Sequence, residues 1–161
     1  IDRSNVLRFG RPKKLDAKPD KSKFYELCDG VRVTEENWVK WRSENVQRVG
    51  RMKELLAPVN DALEMVGRPF AFRVSRAIER YVGFYPGNSE VDFKAAVADQ
   101  IEMKILPKLN GLELDVAGFE TLKNTVGGII NGLNDEPLEK AFSSSCDKEH
   151  NAFFKWRGVM R

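Results

Sequence analysis

Histidine is almost missing from this 161-residue chain, cysteine is scarce, and long apolar runs are absent. The one histidine, His150, stands beside Asp147, Lys148 and Glu149 and lacks a nucleophile partner. It reads as a surface or helix-end residue rather than a general base. The two cysteines, Cys28 and Cys146, have no CxxC spacing, which argues against a disulfide framework and a thiolate zinc site. Two reduced thiols are the expected state, with a Cys28–Cys146 bridge left open. No stretch approaches the roughly 20 apolar residues of a membrane span. Asp2 and Arg3 interrupt what a signal peptide would keep apolar. The motifs GxxxxGKS/T, GxGxxG, HExxH and GxSxG are also absent, so catalysis by this chain alone is not expected.

What remains is the composition of a globular domain on the polar side, with 42% hydrophobic and 32% charged residues. Net charge is +3, too small to define a nucleic-acid binder. Its distribution is uneven: residues 1–56 hold 14 Lys/Arg against 9 Asp/Glu, and the remainder 13 against 15. The first residue is Ile1 rather than Met, which suggests a fragment or a processed chain.

Residues 5–9 alternate apolar and polar side chains before Gly10 and read as a short strand, followed by a polar, basic loop through residue 33. From Thr34 the apolar period becomes helical. One amphipathic region spans 34–66, with Glu35 and Glu36 in its first turn and Pro58 expected to kink it or start a new helix. Further helices are expected over 71–85, over 90–106 with Ser89 as cap, over 115–133, and from Asp135 onward with Pro137 at an early position. Pro107 should stop or kink the third of these. Gly127 and Gly128 weaken the next, or allow a close helix crossing. Leu138, Phe142, Phe153, Phe154 and Trp156 are assigned to a further helix or two. The expected fold is therefore mainly α, a helical bundle with a short N-terminal strand and basic loop, divided as 1–33 and 34–161.

Arg73, Arg76 and Arg80 recur at i, i+3 and i+7 along the second expected helix. Three guanidinium groups on one stripe repel one another unless anions neutralise them. Two readings follow: a phosphate-facing helix, or a solvated face bridged to Glu90 and Asp92, with partial help from Glu79. Trp38 and Trp41, three apart, suit helix packing better than base stacking.

Three segments in order resemble the McrB-like AAA+ NTPases, motor subunits of modified-cytosine restriction systems. They are Ile1-Asp2-Arg3-Ser4-Asn5-Val6-Leu7-Arg8-Phe9, then Phe70-Ala71-Phe72-Arg73-Val74 with Ile78, Arg80 and Tyr81, then Lys104-Ile105-Leu106-Pro107-Lys108-Leu109-Asn110-Gly111. Ser4, Ala71 and Asn110 depart from the family pattern; Asn110 stands where a histidine is usual, so no histidine role carries over. The resemblance spans about the first 111 residues.

It implies a lid-like helical bundle at the C-terminal end of a cytoplasmic ATPase or GTPase that acts in DNA restriction or phage defence. ATP or GTP with Mg2+ would be held mainly by an upstream AAA+ core domain. Arg3 matches an arginine that reaches the nucleotide of a neighbouring subunit in a homo-oligomeric ring. Arg73 matches a second sensor arginine, and Arg76 joins it as a nucleotide-facing candidate, although Arg76 and Arg80 also suit salt bridges. The charge of the long basic loop over 10–33 adds DNA and a partner nuclease subunit as candidate partners; a membrane is not expected. Two other readings stand beside this one. The first is a non-enzymatic helical module that binds nucleic acid or a protein partner through the basic N-terminal third. The second is a helical interaction domain with no link to nucleotide.

Overall fold

The computed structural model describes residues 34–41 and 44–159. The expected strand over 5–9, the basic loop and Arg3 lie outside them. Among the described residues the helical period resolves into six α-helices: α1 (Glu35–Trp41), α2 (Val46–Met65), α3 (Phe72–Gly83), α4 (Glu90–Gln100), α5 (Phe119–Leu133) and α6 (Glu136–Ser145). The chain is a helical bundle, as the periodicity implies. Its single core draws Met52, Leu56, Val59 and Leu63 from α2, and Val74, Ile78 and Val82 from α3. Phe93 and Val97 come from α4, Leu122, Val126 and Ile130 from α5, and Leu138 and Phe142 from α6. Each such side chain contributes about 1.5–3 kcal/mol by leaving water. α2 lies at the centre, packed on both α3 and α5.

Helix ends follow local chemistry. Ser89 and Asp92 close a reciprocal capping box on α4, and the Asp135 side chain accepts from Leu138 N at the start of α6. Gly118 begins α5 at φ 90 with Met65 pressed against it, a place where a Cβ would be both strained and 2.9 Å from that side chain.

Four expectations need correction. The first helical region is split at Asn45, whose side chain caps α2 by accepting from Arg48 N at 3.1 Å. Of the two outcomes expected at Pro58, a new helix does not form: α2 runs through the proline, whose residue is exposed. The helix expected to end by residue 106 instead widens into a π-turn, Ile101–Ile105, in which Leu106 N reaches back to Ile101 O. A 3-10 turn, Leu106–Leu109, then carries Pro107. The wider turn relieves the clash a proline ring makes with the carbonyl four residues behind it. Finally, Phe153, Phe154 and Trp156 are not helical. Residues 151–159 form no helix, and Phe153 makes an isolated antiparallel bridge with Glu113. Phe154 exchanges backbone bonds with Leu112 O at 2.7 Å and Gly111 N at 3.0 Å.

Arg48 ties the start of α2 to the loop between α3 and α4. It is 5% exposed, and its guanidinium donates to Tyr85 O at 3.0 Å and Ser89 O at 3.2 Å. Arg48→Met keeps the length of the side chain and removes both bonds. We expect a loss of about 2–4 kcal/mol in urea unfolding, because two carbonyls lose charged donors in a half-buried place. A loss under about 0.5 kcal/mol, the range of ordinary surface changes, would contradict that role.

Candidate anion-binding face on α3

α3 sorts its residues cleanly. Val74, Ile78, Glu79 and Val82 face inward, while Phe72, Arg73, Arg76, Ala77 and Arg80 face solvent. At 100° per residue the three arginines fall within one narrow stripe. Phe72 is 79% exposed at its N-terminal end, with the Arg76 guanidinium 6.0 Å above its ring. The helix starts at Ala71 with no side-chain cap and no acidic residue in its first turn. Its N-terminal amides and dipole therefore add to the positive potential beside Arg73. The loop before it is held by Asn60, whose carbonyl accepts from Phe70 N at 2.8 Å.

The carboxylates expected to neutralise this stripe are engaged elsewhere. Glu79 is buried and accepts from Ser75 Oγ at 2.7 Å, with Lys53 Nζ 3.8 Å away. Glu90 is gripped by both terminal nitrogens of Arg51, at 2.8 and 2.9 Å. The Arg51 hydrogen bond holds its carboxyl below the usual range. Asp92 accepts from the Ser89 hydroxyl and amide and lies 4.0 Å from Arg48. The Ser89 hydroxyl is the main reason its carboxyl also titrates low. Among the described residues Arg73, Arg76 and Arg80 make no ion pair. Arg73 and Arg76 thus stand on one face of one helix; Arg3 lies outside the described residues.

Arg48 and Arg51 are the residues that sequence reasoning missed. Arg48 carried a signal, since it occupies the apolar stripe of α2 one turn before Met52 and two before Leu56. Arg51 carried none, because its partner is 39 residues away.

The remaining candidates stay bland. His150 is exposed, with Nδ1 2.7 Å from Asp147 Oδ2. That bond is the main reason the Asp147 carboxyl titrates below its usual range. Asp147, Glu149 and His150 bring ligand atoms within 4.8 Å of one another on an exposed turn, the one cluster among the described residues that could hold a metal. Trp38 is about half exposed. Cys146 is a buried free thiol pushed up to about 12 by burial. We expect it to resist iodoacetamide at pH 8 in the folded protein and to react once urea unfolds it, read by mass spectrometry. Rapid native labelling at Cys146 would contradict its burial.

These features define a class, a small, mainly helical domain whose described residues carry an arginine face without ion pairs. The chain belongs to the family described as Domain of unknown function (DUF8727), whose model matches residues 23–149. No curated protein and no solved structure matches it. No helix among the described residues is long and apolar enough to cross a membrane.

Proposed function

We propose that this chain forms the helical lid of an McrB-like AAA+ NTPase, a cytoplasmic ring motor of DNA restriction or phage defence. In this reading α3 turns Arg73 and Arg76 toward the nucleotide. One observation carries it: the arginine face of α3 is exposed, beside an uncapped helix start, and every carboxylate that was expected to neutralise it has another partner. Guanidinium groups so placed fit a triphosphate, an anion of high charge density.

Nucleotide with Mg2+ supplies the phosphoryl chemistry. This chain's own residues would bind and orient: Arg73 and Arg76 would hold phosphate oxygens within the subunit, and Arg3 would reach toward a neighbour. Val74, Ile78 and Val82 bury the inner side of α3 in the core against α2, with Lys53 of α2 3.8 Å from the buried Glu79, so the arginine face would move with the bundle as one body.

The test is hydrolysis of ATP and of GTP, with Mg2+, by the full-length gene product that contains this chain, beside the 161-residue chain alone. Turnover by the former and none by the latter is expected. A full-length product that neither binds nor hydrolyses either nucleotide overturns the reading.

A further inference from the structure

Away from α3, a groove of about 450 Å3 opens where α2, α4 and α5 meet. Its walls are apolar, from Leu55 and Pro58 on α2, Phe93 on α4, and Ile129 and Leu133 on α5. α5 leaves room on its side because it carries glycine twice, one turn apart. A Cβ added at Gly128 or at Gly132 would meet nothing within 4 Å. Gly127 behaves differently: its Cβ would stand 3.4 Å from Phe142, so that glycine serves the crossing with α6 while Gly128 faces the groove.

Three charged groups edge this space, and two of them satisfy each other. Arg51 and Glu90 form the bidentate pair, and the Arg51 guanidinium lies 3.9 Å over the Phe93 ring, where it extends the apolar wall. The third is Lys94. It is half-buried, one turn beyond Glu90, and makes no ion pair among the described residues, though its charge adds to the Arg51 hydrogen bond that holds the Glu90 carboxyl low. A second concavity of about 570 Å3, along α4 and the start of α6, shares Lys94 and Leu133 with the first. That second hollow also carries Asp135, whose side chain accepts from Leu138 N, and Glu136, which pairs with Lys140, so Lys94 is the charged residue common to both hollows and has no ion pair among the described residues.

We propose that this groove binds a small amphiphilic monocarboxylate, its aliphatic body between α2, α4 and α5 and its carboxylate on Lys94. The apolar walls select a hydrocarbon body, and one ammonium without an ion pair selects a single negative charge. The volume lies in the range of small-ligand pockets, about 300–1,000 Å3. This site is independent of the nucleotide reading, since none of its residues belongs to α3.

Dodecanoate, kept below its micelle concentration, is the probe, with dodecanol as its uncharged counterpart; calorimetry on the 161-residue chain gives the readout. Saturable one-to-one binding with Kd about 100 µM or tighter is expected for the acid, and at least tenfold weaker binding for the alcohol. Lys94→Met should remove the preference for the acid and leave alcohol binding unchanged. Gly128→Leu should place its side chain in the open groove and abolish both, while the protein melts no earlier than the parent. Absence of saturable dodecanoate binding by the parent chain overturns the proposal. So does full binding by Gly128→Leu, or an unchanged acid preference in Lys94→Met.

Discussion

Phe154→Ala is expected to cost about 3–5 kcal/mol, the range for deleting a buried aromatic ring. The residue is 1% exposed, and its ring meets that of Phe142 at a centroid distance of 6.2 Å in a tilted pair. Loss of the ring leaves a cavity between α6 and the 3-10 turn region, and it also loosens a longer assembly. The tail is held by backbone pairing of Phe154 with residues 111 and 112, by Trp156 N donating to Asn110 Oδ1 at 2.6 Å, and by Ser145 Oγ donating to Lys155 O at 3.1 Å. Those bonds keep their geometry only while the ring anchors the strap. The neighbouring Phe153, about half exposed, provides the control. Phe153→Ala should change stability by no more than about 0.5 kcal/mol. Urea unfolding of the two variants side by side decides the matter. Equal losses would mean that the tail is bound by its backbone rather than by the buried ring.

That tail also shows where the sequence stops being readable. Phe153, Phe154 and Trp156 are close enough in sequence to pass for a helical stripe, but the segment that fixes them lies some 46 residues earlier, at Asn110. Nothing local announces such a pairing. Features whose causes lie within four residues were legible: the Ser89 and Asp92 box, the Asp135 cap, and the apolar stripes of α2, α3, α4 and α5. Pro58 and Pro107 were legible as breakers, but not in the form their effect takes. One helix absorbs its proline on a solvated side, and the other converts to a wider and then a tighter turn. The arginine stripe was legible as a stripe. The partners of Glu90 and Asp92 were not, because Arg51 and Arg48 sit 39 and 44 positions away and reach them only once the bundle has assembled. Partner choice among exposed charges is a tertiary fact, and here it leaves the α3 face without ion pairs among the described residues.

On the proposed lid function, Arg73→Ala in the full-length gene product is expected to lower kcat for nucleotide hydrolysis about 100-fold or more, the magnitude attached to removing one positioned donor from a developing oxyanion. Arg73 stands in the first turn of α3 next to the uncapped helix start, where side-chain charge and helix dipole act in the same direction. Arg80 lies two turns further on, beyond the reach of that terminus, and Arg80→Ala should retain turnover within about threefold if it only meets solvent. Arg76, between them and near Phe72, should raise KM more than it lowers kcat if its role is to bind rather than to stabilise the transition state. Arg73→Lys should recover little, because a single ammonium cannot replace the two-pronged guanidinium contact with phosphate oxygens. All four variants change exposed side chains without ion pairs among the described residues, so thermal unfolding should stay within about 0.5 kcal/mol of the parent. A loss of activity can then be assigned to the nucleotide site rather than to the fold. Equal losses at Arg73 and Arg80, or full turnover in Arg73→Ala, would show that the stripe acts as diffuse positive charge and that no single guanidinium faces the triphosphate.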